Sequence, residues 1–360
     1  MVIGVWIGTY PPAGAGTPPG QGEGVWRGEL DLTAGTLTVA QVAQVPAASF
    51  LAVHPGGRVL YAVGETTSGT VSVLDVTPDG GVRPRDRVGS GGADPCHLLL
   101  APDARTLYVA NYSSGTVGVL PLEPDGGFTA EVRAAGAPTQ VLAHEGSGPD
   151  RERQEGPHAH STLITPDGAH LLVVDLGTDT LWRYRRAGDG SLVADGTAAV
   201  LPAGTGPRHA TFAADGGHLY LTGELSATVH VLAWDATQAS GRVVQSLSVG
   251  RSGPPDARPP DGQRDYPAHL ALTGDRLVVS VRGSDRVHHL DVVDGLLRPA
   301  GDVAAGRWPR HLAVLESAGT VLVAAERGHE LVPVGTAGTP HAVPLPSPAC
   351  VVAAVPIMTG

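Results

Sequence analysis

An internal repeat is the feature of this sequence that most constrains its fold. Three similar segments read "DPCHLLLAPDARTLYVANYSSGTVGVLPLEPDGGF" from Asp94, "GPRHATFAADGGHLYLTGELSATVHVLAWD" from Gly206 and "YPAHLALTGDRLVVSVRGSDRVHHLDVVDGLL" from Tyr266. The same plan also begins at Pro46, Gly156 and Trp308. The units recur at intervals of roughly 40 to 60 residues, a spacing typical of propeller blades.

Each unit has the pattern of four short strands. An apolar run is followed by a Pro-Asp-Gly-like turn, a second run such as "LYVAN", a polar turn and an alternating strand such as "TVGVL". An Asp-Gly turn then leads into a weaker fourth strand. The chain contains 50 Gly and 31 Pro, which suits many tight turns between short strands. One unit therefore predicts one four-stranded antiparallel blade.

The two ends of the chain complete one more blade. The segment "SPACVVAAV" from Ser347 resembles a first strand with nothing after it, whereas "VIGVWIGTY", "GVWRGELD" and "GTLTVAQV" near the N-terminus resemble strands two to four. Joining them would remove the exposed sheet edges of an open array. We therefore predict an all-β fold, a single seven-bladed β-propeller domain over residues 1–360. A six-bladed ring with unpaired ends is the alternative.

Charge and cysteine content exclude several classes of function. The formal net charge is −11, and both nucleic acids and anionic membranes need a basic surface. Cys96 and Cys350 lie far apart and match neither a disulfide framework nor a zinc ribbon. The N-terminus shows no signal peptide or membrane span. We expect a cytoplasmic protein that binds no nucleic acid and no membrane. Protein partners and oligomeric state stay open.

Propeller geometry predicts which side chains meet. The start of strand one and the end of strand two lie on the same face, so residues at these positions in different blades should converge near the axis. The strand-one positions are Ser49, Cys96, His160, Arg208, Ala268, Arg310 and Ala349. The strand-two positions are Glu65, Asn111, Asp175, Glu224, Arg282 and Glu326. Two long insertions, at 139–156 and from Arg251, should enter this face, where binding usually occurs.

A column of histidines lies one residue further along strand one. Its members are His97, Ser161, His209, His269 and His311. Successive side chains of a strand point to opposite sides, so we expect this column to point into the blade stack and to bond to backbone between blades. These histidines are predicted to be structural.

The convergent residues favour acid/base chemistry on an anion over metal chemistry. His158 and His160 lack a third ligand at a recognisable spacing, so we predict neither a metal nor a cofactor. An imidazole beside a carboxylate suits general acid/base work; a polar residue lining a wet channel is the alternative for His160. Arg208 and Arg282 suit bidentate binding of an anion, although ordinary salt bridges to nearby carboxylates would also explain them.

The sequence resembles a known family over almost its whole length. "GPHAHSTLITPDGAHLLVVDLGTDTLWRY", "GTGPRHATFAADGGHLYLTGELSATVHVL" and "VSVRGSDRV" are similar to the seven-bladed lactonase family, which includes bacterial propeller-type 6-phosphogluconolactonases and fungal carboxymuconate-lactonizing enzymes. The family's pocket residues match His160 in the His-Ser step, Arg208 in Gly-Pro-Arg-His, Glu224, and Arg282 in the next blade. Gly223 departs from the Asn that often precedes the Glu.

The resemblance implies a metal-independent lactone hydrolase, with 6-phosphogluconolactonase as the expected activity on a small anionic lactone. Arg208 and Arg282, with Arg310 as a further candidate, would hold the phosphate or the developing oxyanion. His160 would activate water or protonate the ring oxygen, with Glu224 as its acid/base partner and His158 at the pocket rim. Two alternatives remain: a carboxy-cis,cis-muconate cycloisomerase, which would bind a carboxylate substrate, and a non-catalytic propeller that binds an anionic metabolite or a protein.

Overall fold

The chain forms a closed ring of seven sheets. The computed structural model describes residues 1–11, 20–251, 264–335 and 341–355, and within these residues each sheet has four antiparallel strands. The prediction of a seven-bladed β-propeller is confirmed, and the six-bladed alternative is wrong.

Twenty-eight strands and two short helical segments make up the described parts of the chain. The strands, in chain order, are β1 Val2–Thr9, β2 Val25–Asp31, β3 Thr36–Ala43, β4 Leu51–Val53, β5 Val59–Gly64, β6 Thr70–Val76, β7 Val82–Gly89, β8 Pro95–Leu100, β9 Thr106–Asn111, β10 Thr116–Pro121, β11 Gln140–Ala143, β12 Ala159–Ile164, β13 His170–Asp175, β14 Thr180–Arg186, β15 Leu192–Val200, β16 Pro207–Phe212, β17 His218–Gly223, β18 Thr228–Asp235, β19 Ser240–Ser248, β20 Tyr266–Thr273, β21 Arg276–Arg282, β22 Arg286–Val293, β23 Leu296–Ala304, β24 Pro309–Leu315, β25 Thr320–Ala325, β26 Glu330–Gly335, β27 Val343–Pro344 and β28 Pro348–Ala353. The helical segments are α1 Ala130–Ala135 and a 3-10 turn at Glu316–Ala318.

Strands from both ends of the chain form blade 1. Its order is β28-β1-β2-β3, with Ile7 opposite Val351 in the antiparallel register. Blades 2 to 7 are β4–β7, β8–β11, β12–β15, β16–β19, β20–β23 and β24–β27. The predicted closure of the ring by both termini is therefore correct, and it pairs strand edges that an open array would expose.

The apolar core lies between neighbouring blades. All six residues of β5, of β9 and of β25 are buried, because each of these second strands has a neighbouring sheet on both faces. Tyr61 of blade 2, for example, packs with Leu98 and Leu107 of blade 3. Burial on both faces explains why the second strands read as unbroken apolar runs in the sequence.

A β-bulge marks the start of the first strand in blades 3 to 7. The register with strand two slips between Pro95 and His97, and at the corresponding places in the other four blades. A bulge inserts one extra residue and redirects a side chain. Two successive side chains of these strands can therefore point toward the axis instead of alternating.

The four histidines of the column form an axial layer together with Phe50 of blade 2, and we call this set the imidazole layer: Phe50, His97, His209, His269 and His311. These side chains come from five different blades, yet their rings meet: His209 lies 4.9 Å and His311 3.8 Å from His269, centroid to centroid. The expectation that they point into the blade stack is wrong, because the bulge turns them to the axis.

The expected bonds between these histidines and the backbone of a neighbouring blade do occur in part. The Nδ1 of His97 accepts the Thr162 N–H at 3.4 Å, and the Nδ1 of His311 accepts the Val351 N–H at the same distance. Burial, with Arg208 nearby, lowers the pKa of His97 to about 3. Burial also lowers the pKa values of His209, His269 and His311, so all four imidazoles of the layer are neutral at neutral pH.

Candidate active site

A cavity of about 480 Å³ opens on the face where the first strands begin. The residues predicted to form a site come from four blades and all line it: His158, His160, Arg208, Glu224, Arg282 and Arg310. The structure thus brings together these six predicted site residues. The residues that follow β5 and β25, Glu65 and Glu326, line the same cavity.

Two of the predicted strand-two positions do not line the cavity. Asn111 is buried and donates to the Ser90 carbonyl oxygen and to Thr116 Oγ1. Asp175 accepts the backbone N–H groups of His158 and Gly177. Both residues end their strands, whereas Glu65, Glu224 and Glu326 follow theirs. In blade 3 the cavity is lined by the next residue, Tyr112.

Three guanidinium groups surround the Glu224 carboxylate. Its oxygens lie 2.7 Å from Arg153 Nη2, 3.0 Å from Arg208 Nε and 2.6 Å from Arg282 Nη2. Burial by itself would raise the pKa of Glu224, but Arg282, Arg153 and Arg208 together hold it well below its ordinary value. Glu224 is therefore an ionised anchor for the arginines at neutral pH and has no proton to give.

Arg208 is the most deeply buried of these cations. Its Nε and Nη1 have no hydrogen-bond partner among the described residues, since Nε lies close to Glu224 but not in line with it. Burial, with Arg282 nearby, lowers the pKa of Arg208 to about 9. Ser161 fixes the backbone from blade 4 by donating to the Arg208 carbonyl oxygen at 2.8 Å. Unsatisfied N–H groups on a buried cation are costly, and a guanidinium group that lines the cavity can donate to an anion there.

His160 lies beside Arg208 as a neutral imidazole. Its side chain is 6% exposed, and Nδ1 has no hydrogen-bond partner in the part of the chain that the structure describes. Burial and then Arg208 lower the pKa of His160 well below 6.5. The ring meets Tyr112 edge to face at 5.7 Å. His160 lines the cavity, and a neutral imidazole there can accept a proton from a reacting group.

His158 belongs to the wall of the cavity. Its ring stacks on Tyr112 at 4.5 Å, and Nε2 lies 3.2 Å from a carboxylate oxygen of Glu155. Its Nδ1 lies 3.0 Å from the Tyr112 carbonyl oxygen. Both ring nitrogens therefore already have partners, and the ring supports the Tyr112 side of the cavity.

The loop at 144–156 delivers Arg153. This loop is the part of the predicted 139–156 insertion that follows β11, because residues 140–143 form the fourth strand of blade 3. Gln154 is fully buried and donates to the Leu176 carbonyl oxygen and to Asp179 Oδ1. Asp179 also accepts the N–H of Gly206, two residues before Arg208. One buried carboxylate thus joins the loop to the strand that carries Arg208.

The opposite wall is built from blades 1, 2 and 7. Arg310 Nη1 pairs with Glu326 at 3.1 Å, and its guanidinium lies 4.6 Å from the centre of the Tyr10 ring. The Tyr10 hydroxyl donates to Glu65 Oε1 at 3.2 Å, and the Ser49 hydroxyl donates to Oε2. The cavity therefore has carboxylates on both sides, in different surroundings.

Aromatic side chains close the rim between blades 6 and 7. The guanidinium of Arg282 lies 5.8 Å from the Tyr266 ring and 5.6 Å from the Trp308 ring. Trp308 has a φ of 62°, in the left-handed region, and its N–H donates to Asp285 Oδ1 at 2.8 Å. A bulky residue in this region is strained, so the turn is held in place by the Asp285 bond.

Some site residues could not be identified from the sequence. The insertion before His158 was predicted to enter this face, but nothing in the sequence singled out Arg153 among its arginines. The sequence pattern places Tyr10 at the end of a strand and does not indicate that it lines the cavity. The insertion from Arg251 lies mostly outside the described residues. Within the described ranges, no group of three or more His, Cys, Asp or Glu side chains is placed to hold a metal ion.

Fold and site together define a propeller with a cavity on one face that is lined by arginines and carboxylates. The profile "Lactonase, 7-bladed beta-propeller" matches residues 4–344. The chain belongs to this family.

Named relatives cover most of the chain. A 6-phosphogluconolactonase of Bacillus subtilis is 29% identical over 333 residues, covering 91% of this chain and 89% of that protein. One of Sodalis glossinidius is 30% identical, covering 88% of each. The solved periplasmic gluconolactonase of Pseudomonas aeruginosa superposes with a TM-score of 0.84 at 27% identity, covering 99% of this chain and 100% of that one. Family and relatives support a lactone hydrolase. No helix among the described residues is both long and apolar enough to cross a bilayer.

Proposed function

We propose that this protein is a 6-phosphogluconolactonase, which opens the lactone of a phosphorylated sugar acid by adding water. The observation that carries the proposal is the pairing of a neutral His160 with a buried Arg208 whose Nε and Nη1 have no hydrogen-bond partner among the described residues. Hydrolysis of a lactone needs both a group that accepts a proton from water and a donor to the oxyanion that develops on the carbonyl oxygen.

The first step follows from these two side chains. His160 takes a proton from water as the water oxygen attacks the carbonyl carbon. The Arg208 N–H groups donate to the resulting oxyanion, in a site where burial strengthens each charged hydrogen bond. Glu224 keeps its charge and holds the guanidinium groups of Arg208 and Arg282 in position. Its role is thus to orient cations, not to transfer a proton as the family resemblance implied.

Arginines elsewhere in the pocket support a phosphorylated substrate. Arg153, Arg282 and Arg310 line the cavity with Arg208, and guanidinium groups bind phosphate bidentately. Relatives carry names that differ in this respect, since the Bacillus subtilis protein is named for a phosphorylated lactone and the Pseudomonas aeruginosa protein for an unphosphorylated one. The phosphate is therefore the part of the substrate that an assay must vary.

The test compares hydrolysis of 6-phosphoglucono-δ-lactone and glucono-δ-lactone by acid release, with spontaneous opening subtracted. We expect a kcat/KM at least about tenfold higher for the phosphorylated lactone, since one charged hydrogen bond is worth about 1.5 kcal/mol or more. His160→Ala should lower kcat on the better substrate by about a hundredfold or more. His218→Ala is the matched control, because His218 begins β17 at the end remote from the cavity. Wild-type protein that opens neither lactone would refute the proposal.

We also propose that the reaction needs no metal ion and takes place in the cytoplasm. Two of the pocket's carboxylates, Glu224 and Glu326, pair with arginines, and both cysteines are buried free thiols, as suits a reducing compartment. Dialysis against a chelator should leave kcat/KM unchanged, and fractionation of the source cells should place the protein with cytoplasmic markers. A loss of activity that zinc or calcium restores would contradict the first statement.

A further inference from the structure

Opening of a lactone needs a second proton transfer that the residues discussed so far do not provide. When the tetrahedral intermediate collapses, the ring oxygen leaves as an alkoxide, which is far too basic to leave unprotonated. Glu224 is ionised among its arginines, and His160 takes a proton from the attacking water in the first step. A separate acid in the cavity would complete the reaction.

We propose that Glu65 is that acid and donates the proton to the leaving ring oxygen, an inference that rests on the proposed lactonase function. Glu65 follows β5 in blade 2, and Glu224 follows β17 in blade 5, so three steps around the seven-bladed ring separate them. Both side chains line the one cavity and both are buried. A lactone held by Arg208 would therefore have Glu65 on the far side from Glu224.

The partners of Glu65 differ from those of the other pocket carboxylates. Glu65 contacts the hydroxyl groups of Tyr10 and Ser49, and among the residues that the structure describes no arginine lies within salt-bridge distance of it. Glu224 and Glu326, by contrast, pair directly with guanidinium groups. A hydroxyl group can accept as well as donate a hydrogen bond. The site therefore accommodates Glu65 in its protonated form.

Electrostatics support the same division. Burial raises the pKa of Glu65 above its ordinary value, although Arg310 and the two hydroxyl groups oppose this rise. The pKa of Glu224 moves in the opposite direction under the influence of its arginines. Two carboxyl groups in one site whose environments separate their pKa values are the usual sign of different roles in acid/base catalysis.

The complete step balances in atoms and charge. Water adds to the carbonyl carbon and gives one proton to the His160 imidazole, which leaves a tetrahedral oxyanion at Arg208. The oxyanion re-forms a carbonyl group, the bond from that carbon to the ring oxygen breaks, and the ring oxygen takes the proton of Glu65. The product is the open-chain hydroxy acid. The proton on His160 then passes through solvent to the Glu65 carboxylate and restores both groups.

The first test uses the leaving group. Glu65→Gln should lower kcat on 6-phosphoglucono-δ-lactone by about a hundredfold or more. On dihydrocoumarin the loss should be less than about tenfold, because its leaving group is a phenolate whose conjugate acid has a pKa of about 10. Equal losses on both lactones would indicate a structural role and overturn the inference. Unchanged kcat on the phosphorylated lactone would also overturn it. Wild-type protein inactive on both would instead refute the proposed function itself.

The second test uses pH and does not depend on the second substrate or on the folding of Glu65→Gln. Because Glu65 must be protonated, kcat should fall as pH rises through its raised pKa. Tyr10→Phe removes a hydrogen bond that lowers this pKa, so the alkaline limb of kcat should move to higher pH. His218→Ala is again the matched control and should leave the limb at the wild-type pH, because His218 begins β17 at the end remote from the cavity. A limb that stays at the same pH in Tyr10→Phe would overturn the inference.

Discussion

Replacement of Glu224 by glutamine tests how the arginines of the pocket are held. The substitution keeps the shape of the side chain but removes its charge. Arg208 and Arg282 then lose their carboxylate partner while their side chains remain less than a tenth exposed. Arg153 is 37% exposed and can turn to solvent, so its loss should contribute little. The substitution therefore leaves two buried guanidinium groups without the negative charge that balances them.

The magnitude follows from the cost of breaking a buried ion pair. Removing one partner of such a pair costs about 3–5 kcal/mol. An unfolding entropy of about 2.1 cal/mol/K per residue gives roughly 0.75 kcal/mol/K for a chain of 360 residues. We therefore expect the melting temperature of Glu224→Gln to lie about 4–7 °C below that of the wild type. The kcat/KM for the lactone should fall by about a hundredfold, because the arginines lose their orientation.

Differential scanning calorimetry with inorganic phosphate checks the explanation. An anion can take the place of the lost carboxylate, so phosphate should raise the melting temperature of Glu224→Gln more than that of the wild type. At ten times its dissociation constant the ligand contributes about 1.4 kcal/mol, or roughly 2 °C by the same entropy. Phosphate should raise the melting temperature of Glu326→Gln less, because this substitution releases only Arg310, whose side chain is 18% exposed. A Glu224→Gln variant that melts like the wild type, or that gains no more from phosphate, would refute the reasoning.

Three further results are expected. Since burial holds the pKa of His160 well below 6.5, the wild-type kcat/KM should stay high as pH falls below 6.5 and decline only when the imidazole becomes protonated. The residual activity of His160→Ala should not show this decline. His209→Phe should increase the free energy of unfolding over that of the wild type by about 2 kcal/mol more at pH 5 than at pH 8. The reason is that a buried imidazole with a depressed pKa destabilises the fold as pH falls through the pKa of the unfolded chain, and urea titrations at the two pH values measure the difference. Arg153→Met should raise KM about tenfold with little change in melting temperature, whereas Gln154→Leu should raise KM and also lower the melting temperature, because Gln154 anchors the loop by two buried hydrogen bonds.

The number of blades and the closure of the ring could be predicted because they depend on the order of strands. Alternating runs separated by short turns recur in every unit, and a first strand from Ser347 onward supplies what the N-terminal strands lack. The same repeat aligned His160 with Arg208 and Arg310, all of which lie in the cavity. Periodicity across blades thus located the candidate site without any local motif.

The errors arose where strands depart from regular alternation. A bulge between Pro95 and His97 turns two successive side chains to the axis, so the histidine column could not be placed by strand alternation. The end of strand two was also uncertain by one residue. The sequence therefore predicted Asn111 at the cavity, whereas Tyr112 lines it. An error of one residue is smaller than the usual uncertainty of strand ends predicted from sequence.

Arg153 could not be predicted because its position depends on long-range contacts. The loop before His158 has several charged residues, and which of them reaches the pocket is decided by Gln154, buried against Asp179 from the turn between β13 and β14. Such a contact leaves no periodic signal in a single sequence. The loop could be assigned to the correct face, but its functional side chain required the structure.

The equivalent positions around the ring explain how a regular scaffold can carry chemistry with separate acid and base roles. The residue that follows strand two is acidic in blades 2, 5 and 7, and Arg282 stands at the matching level in blade 6. Each of these residues has the same backbone setting, so their protonation states depend on their neighbours alone. Glu224 is surrounded by arginines from blades 5 and 6 and from the loop, and it stays ionised. Glu65 faces hydroxyl groups from blades 1 and 2, and its pKa is raised. Rotation around one axis therefore places like groups in unlike surroundings, which is the arrangement that a reaction with two opposed proton transfers requires.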